Sequence, residues 1–488
     1  MSLLQIQNLT FGYDNAVHNV FDGLTLSLDT DWRCGLAGRN GRGKTTLLKL
    51  LSGELCGSGD ISASVRFEYF PYALKNPELP TLVAVGEACP GAQVWQLERE
   101  LSLLGLAGSV EKPFSLLSEG QKTRALLAAM FLREGGFPLI DEPTNHLDAA
   151  GRAQLAAYLQ KKPGFLLVSH DRAFLDACID HLVVLNKTDV EVRAGSFSAW
   201  YKERLERDAA ERAADARLKK EAAAFTEAAR RATGWADKVE ATKYNTKNSG
   251  LKPDRGYIGA KSARMMKRAK SVEARSEKAA AGRLALLKNT EEAEALKLSP
   301  LVYHSDRLVE LKDISFPFCA LSNFSLTLRR GERIALQGAN GTGKTSLLRL
   351  ILGENIPREG DVWRGGGLVL SYVSQKTDHL SGSLGDYALR FGLDKSLYFA
   401  ILTKLGFARR QLEGNLEDLS GGQKKKAMLA RSLCEKAHLY IWDEPLNFID
   451  LFSRIQIEAL LKEYEPTMLF VEHDAAFVQA VATRTVIL

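Results

Sequence analysis

The sequence predicts an α/β fold built twice: two phosphate-loop domains, residues 1–199 and 303–488, joined by a long antiparallel α-helical hairpin linker over residues 200–302. Three observations predict it. Four short motifs recur in one order at a nearly constant offset, and each glycine-rich loop lies between a strand pattern and an apolar helical pattern. The segment between the copies is charged, helix-compatible and broken once.

The first copy opens with GRNGRGKT at Gly38 and the second with GANGTGKT at Gly338, 300 residues apart. LSEGQ from Leu117 and LSGGQ from Leu419 are offset by 302, as are Asp141 of LIDEP and Asp443 of YIWDEP, while His170 and His473 are offset by 303. RCGLAG and RIALQG read as strands and TTLLKLLSG and TSLLRLILG as helices, which is the setting a phosphate loop needs. Gly38, Asn40, Gly41 and Gly43, and likewise Gly338, Asn340, Gly341 and Gly343, let backbone N–H groups and a helix N-terminus face the phosphates of ATP. Lys44 and Lys344 reach the terminal phosphate, and Thr45 and Thr345 are placed for Mg2+, with Thr46 and Ser346 beside them. Asp141 and Asp443 end apolar strands, where an acid holds magnesium, and Glu142 and Glu444 follow as general bases for the attacking water. His170 and His473 also follow strands, within reach of the terminal phosphate; a lone histidine there is otherwise structural.

A chain of 488 residues needs more than one core, and its 45% hydrophobic composition supplies them. No run of 18 apolar residues appears, and MSLLQIQNLTFGYD lacks the marks of a signal peptide, so neither membrane spanning nor secretion is expected. Cys34, Cys56, Cys89, Cys178, Cys319 and Cys434 stand without metal-like pairing, which fits a reducing, cytoplasmic setting. The net charge of +6 is unevenly placed: residues 201–300 hold 24 basic and 15 acidic groups, and residues 230–270 hold 12 and 3. The linker carries the positive field, and a polyanion is its natural partner.

These motifs resemble the ATP-binding cassette (ABC) family over nearly all of residues 1–195 and 305–488. The resemblance implies two ABC-type nucleotide-binding domains closed head to tail within one monomer. Each ATP then lies between one phosphate loop and the other copy's signature: Lys44 with Ser420, Gly421, Gly422 and Gln423, and Lys344 with Ser118, Gly120 and Gln121. It casts Tyr13 and Phe318 as adenine-stacking aromatics, and Gln375 of YVSQ as the amide that senses magnesium and water. The sequence departs from the pattern twice. Tyr72 stands where the first copy should carry that amide, and Glu119 places a carboxylate in the first signature. Two unequal ATP sites are expected.

From about Trp200 to Thr242 the linker is rich in Ala, Glu, Lys and Arg, and from about Ala260 to Asn289 it is again helix-compatible, with YNTKNSGLKPDRGYIG between as the break. Arms of roughly 30 to 40 residues would reach about 45 to 60 Å. Lys261, Arg264, Lys267 and Arg268 in KSARMMKRAK suit RNA phosphates, with Lys243, Lys252 and Arg255 nearby, while Tyr244 and Tyr257 are aromatics able to stack on bases. A solvated spacer is the other use of such a hairpin.

Fused pairs without membrane segments resemble the ABC-F branch, which works on the ribosome, and DEPTNHLD from Asp141 to Asp148 is worded as in that branch. KVEATKYNTKNSGLKPDRGYIGAKSARMMKRAKSVEARSEK, SPLVYHSDRL and IWDEPLNFID resemble its antibiotic-resistance members, which protect against lincosamides, streptogramin A compounds and pleuromutilins. That resemblance implies binding to the ribosomal exit site beside P-site tRNA, with the linker tip directed along large-subunit rRNA to the peptidyl-transferase centre, and no membrane or transmembrane partner. Gly43 to Leu117 spans 74 residues and Gly343 to Leu419 spans 76, so the first copy lacks the inserted arm of housekeeping ABC-F factors. A general translation factor, a transporter ATPase subunit and a DNA-repair ATPase stay open as alternatives.

Overall fold

The apolar runs that precede each phosphate loop and each Asp-Glu pair are buried on both faces, as a parallel sheet requires. In the first half, six strands lie in the order Arg66–Phe70, Gly136–Asp141, Phe165–Val168, Arg33–Gly38, His181–Leu185 and Val190–Ala194, parallel but for the last pairing. In the second, five parallel strands follow the order Leu370–Val373, Leu439–Asp443, Met468–Val471, Arg333–Gln337 and Arg484–Ile487. The α/β fold in tandem is therefore observed. Because the loop-bearing strand, the histidine-bearing strand and the Asp-Glu strand are neighbours, their functional groups all emerge at one carboxyl edge.

Each half adds a three-stranded antiparallel sheet, ordered Phe21–Asp29, Leu3–Phe11, Ser58–Ser62 and Phe324–Arg329, Arg307–Ser315, Glu359–Arg364. Alternate residues Leu4 and Ile6 share a core with Leu47 and Leu48 of the helix Lys44–Ser52. Leu308 and Leu311 do the same with Leu347 and Leu348 of the helix Lys344–Leu352. This packing seats each phosphate-loop helix from behind.

The computed structural model describes residues 3–13, 19–145, 147–186, 189–241, 297–447 and 449–488, with isolated positions between 256 and 274. Met1–Ser198 with Ala293–Leu488 form one compact unit and Ala199–Glu292 a second. The linker expected to end at 302 thus gives way earlier. Leu298 is buried in the second half's core, and the Leu301 N–H donates to the Ala437 carbonyl at 2.8 Å, because the charged stretch has ended by then.

The outgoing arm is a helix of 45 residues, Phe197–Ala241, about 68 Å long at the usual rise. It begins three residues before the expected Trp200 and ends at Ala241, one short of the expected Thr242, so the single Gly234 does not break it. On the returning side the described positions, Gly256, Ala260, Ala263, Arg264, Lys267, Lys270, Ser271 and Ala274, are helical, and Gly256 lies within the stretch expected to break the helix. Arg264 and Lys267 are exposed; Lys243, Tyr244, Lys252, Arg255, Tyr257, Lys261 and Arg268 lie outside the described residues. No described helix is long and apolar enough to cross a membrane.

Candidate functional site

Both phosphate-loop helices start on a glycine with left-handed backbone, Gly43 at φ 86° and Gly343 at φ 100°. A Cβ at Gly43 would stand 2.5 Å from Val20 Cγ1, and one at Gly343 would stand 2.8 Å from Cys319 Sγ, so conformation and space both demand glycine. Lys44 and Lys344 are buried in the mouths of their loops, each Nζ donating to a loop carbonyl at 2.8 Å, Gly38 and Gly338 respectively. Burial lowers both ammonium pKa values, opposed by nearby carboxylates. Thr45 Oγ1 donates to Asp141 Oδ2 at 2.8 Å, and the Tyr69 hydroxyl donates to the same oxygen at 3.2 Å.

Ser118 and Ser420 cap the helices Glu119–Met130 and Gly421–Cys434. Each hydroxyl accepts from the N–H of Gln121 or Gln423 at 3.3 Å, and each glutamine carbonyl accepts from the serine N–H, at 3.0 and 2.9 Å. These reciprocal bonds form a capping box that fixes the exposed helix N-terminus. The glutamines expected at the nucleotide are therefore engaged in shaping the signature turn.

The halves meet head to tail around two clefts. The first, about 820 Å³, sets Asn40, Gly41 and Thr45 against Ser420, Gly421, Gly422 and Gln423. The second, about 650 Å³, sets Asn340, Gly341, Gly343, Lys344, Thr345 and Ser346, with Gln375, Glu444 and His473, against Ser118 and Gly120. Phe318 stands on the second cleft's wall, stacked on Phe316 at 5.3 Å. Tyr13 instead hydrogen-bonds Thr46 Oγ1 at 3.0 Å and packs edge-on against Phe11. Across the halves Arg172 pairs with Glu458 at 3.4 Å.

Glu142 and Glu444 both hold left-handed backbone, φ 51° and 48°, with their N–H groups bonded to Val168 and Val471 carbonyls at 2.9 and 3.0 Å. Strain of this kind at the same place in both halves marks a carboxylate aimed by its strand. His170 Nε2 lies 3.3 Å from Glu142 Oε1, and His473 Nε2 lies 3.7 Å from Glu444 Oε1. The surroundings then diverge. Burial, with Asp141 alongside, pushes the Glu142 carboxyl up to about 8. Burial works the same way on Glu444, but His473, Gln375 and Lys425 overcome it and draw that carboxyl down to about 2. Asn447 also donates to Glu444 Oε2 at 2.8 Å. Asp443 differs from Asp141 as well: both its buried carboxylate oxygens lack a hydrogen-bond partner, and burial pushes its carboxyl up to about 6.

The two sequence departures have structural answers. Tyr72 leaves the first cleft without an amide: its hydroxyl donates to the Leu126 carbonyl at 2.8 Å and its ring lies under Arg133 at 4.3 Å. Glu119 does line the second cleft, but Lys122 Nζ pairs with its Oε1 at 2.8 Å. Lys122→Ala should therefore raise the KM for ATP about two- to fivefold in dilute buffer, and titrating salt should erase the difference, since the pair is exposed and screened.

Sequence reasoning missed several groups. Lys425 and Asn447 line the second cleft, and Lys426, Asp450 and Ser453 line the first. Buried pairs Arg152–Asp171 and Arg454–Asp474, at 2.8 and 3.0 Å, brace the histidine turns. Their spacing in the chain follows the same repeat, which was the signal available to find them.

Comparison with known proteins agrees with this geometry. The ABC transporter family profile matches residues 21–145 and 321–447, half of the chain in two copies. The chain belongs to the ABC transporter family of ATPases. As in that family, the chain binds and hydrolyses ATP. It is 31% identical to ATP-binding protein Uup of Caulobacter vibrioides, covering 96% of this chain and 74% of that protein. It is 27% identical to ribosome protection protein VmlR of Bacillus subtilis, over 96% of this chain and 83% of the other. These tandem relatives support placement in the ABC-F family. Among solved structures, the complex of archaeal ribosomal stalk protein aP1 with archaeal ribosome recycling factor aABCE1 matches with a TM-score of 0.62 at 18% identity, covering 98% of this chain and 87% of that one, which supports the tandem fold.

Proposed function

We propose that this ABC-F ATPase acts on the ribosome, binding it with both clefts closed on ATP and using its linker near the peptidyl-transferase centre to dislodge antibiotics. The carrying observation is the linker: a 45-residue helix leads into a stretch, residues 230–270, with 12 basic and 3 acidic groups. Such a stretch suits an RNA surface. Similarity to a protein named for ribosome protection, over 96% of this chain, supports the reading. A cytoplasmic location follows from that partner.

In each cleft the phosphate loop and the opposing signature contribute charge-assisted contacts that only closure brings together, so ATP draws the halves shut. Mg2+ would sit with Thr45 and Asp141 in the first cleft and with Thr345, Gln375 and Asp443 in the second, where the orphaned Asp443 oxygens fit a cation, and it would offset phosphate charge. Glu444, ionised and held by Asn447, accepts a proton from the attacking water, with Gln375 orienting it and His473 facing the terminal phosphate. Glu142 and His170 hold the corresponding places in the first half, without an amide and with the carboxyl held up by burial, so turnover there is slower. Hydrolysis reopens the halves and releases the ribosome.

An antibiotic susceptibility panel tests the reading. Cells expressing the chain should tolerate lincosamides, streptogramin A compounds or pleuromutilins at several-fold higher concentration, and Tyr257→Ala should reduce that tolerance while leaving ATP turnover unchanged. Ribosome binding with no change in any drug's inhibitory concentration would instead favour a general ABC-F translation factor.

A further inference from the structure

The helix Gly421–Cys434 reaches both clefts. Its cap, Ser420, lines the first, and Lys425, five residues on, lines the second. Lys425 is 2% exposed, and its Nζ donates to three main-chain carbonyls: Ser374 at 2.8 Å, Gln375 at 3.0 Å and Asp443 at 3.2 Å. Three donors thus meet three acceptors, the full capacity of an ammonium group. The acceptors belong to two different segments, the loop that presents Gln375 and the strand end that presents Glu444. One side chain therefore pins the second cleft's amide to its general base, and does so from the helix whose first turn faces the other cleft.

Among the described residues the first half shows no such tie. Thr123 stands two residues after Gln121, as Lys425 stands two after Gln423, and Tyr72 occupies the place of Gln375 with its hydroxyl bonded to Leu126.

We infer that Lys425 is a positioning residue that sets hydrolysis in the second cleft according to whether ATP engages Ser420 in the first. A helix of 14 residues moves as a rod, so a shift of its capped end is passed to Lys425 and on to the Gln375 loop. Misplacing a reacting arrangement by about 1 Å can cost up to about 100-fold in rate, so a small shift suffices. Coupling of this kind acts on turnover and need not be mirrored in the other direction. It rests on the roles proposed for Glu444 and Gln375 and is independent of the ribosome.

Steady-state ATP turnover of the full chain in a Glu142→Gln background tests it, because turnover there comes from Glu444. If that background is as inactive as Glu142→Gln with Glu444→Gln, the reading of Glu444 falls and the inference with it. Adding Lys425→Met should lower kcat about tenfold with KM changed by less than about twofold, the split expected when an interaction matters in the transition state. Lys425→Gln, which still offers two donors, should recover to within about threefold of the background, and it carries the test if the Met variant does not fold. With Ser420→Ala added to the background, Lys425→Met should cost less than about a further twofold, the non-additivity of one linked path. An equal cost with and without Ser420 overturns the coupling, and an unchanged kcat overturns the positioning role.

Discussion

Replacing Glu142 and Glu444 together by glutamine should lower ATP turnover by about 10²- to 10⁴-fold, the usual worth of a positioned general base, while leaving ATP bound. The amide keeps each side chain's shape, so the left-handed backbone at both positions and the strand ends that hold them have no reason to move. With the closed state no longer discharged, the double variant should pellet with ribosomes when ATP is present and stay in the supernatant without it. Equal pelleting under both conditions would refute the proposed cycle. The single variants should differ, Glu444→Gln costing more, because only that cleft pairs its carboxylate with Gln375 and Asn447.

Lys426→Met should destabilise the second half by about 3 to 5 kcal/mol, the cost of leaving a buried charge without its partner. Lys426 Nζ lies 2.9 Å from Asp450 Oδ2, with side chains 3% and 2% exposed, and Nζ also donates to the Leu405 carbonyl at 2.7 Å. Asp450 in turn caps the helix Leu451–Tyr464, accepting from the Ser453 N–H and hydroxyl at 2.9 Å each. Burial alone would raise the Asp450 carboxyl, but Lys426 and Ser453 outweigh it and hold the group well below the usual carboxylate range. A depressed carboxyl contributes stability in full above its unfolded value and loses it as pH falls towards the folded one. Urea midpoints should therefore separate wild type from variant most at neutral pH, and the gap should narrow below about pH 4. Arg124→Met is the control: Arg124 stands in the corresponding place of the first half but bonds the Leu104 carbonyl and Gln154, both at 2.8 Å, and Asp148, the carboxylate near it, is only half-buried and keeps the Gly151 N–H at 2.8 Å, so the loss should cost less.

Much of this protein was legible as chemistry in one dimension. A phosphate loop works through consecutive residues, so Gly43, Lys44 and Thr45 announce it by spacing alone, and doubling the pattern at an offset of 300 residues made the tandem α/β fold readable. The linker's charge was readable for the same reason, because a run of like charges is a property of neighbours along the chain. The linker's limits were not. Leu298 looks like the end of a charged helix and is core, which depends on what it packs against.

The two clefts were expected to be unequal from Tyr72 and Glu119, but the physical basis of the inequality came from contacts between distant segments. Tyr72 turns to Leu126, Glu119 is countered by Lys122, and the two general bases part company because His473, Gln375 and Lys425 converge on Glu444 while Glu142 has burial and Asp141 against it. Motifs state which groups are present; the field each one feels is a sum over neighbours that folding supplies. That is why the repeat told of two ATP domains on a basic linker, while the difference between their sites, and the buried lysine that reaches from one towards the other, appeared only once strands and helices were packed.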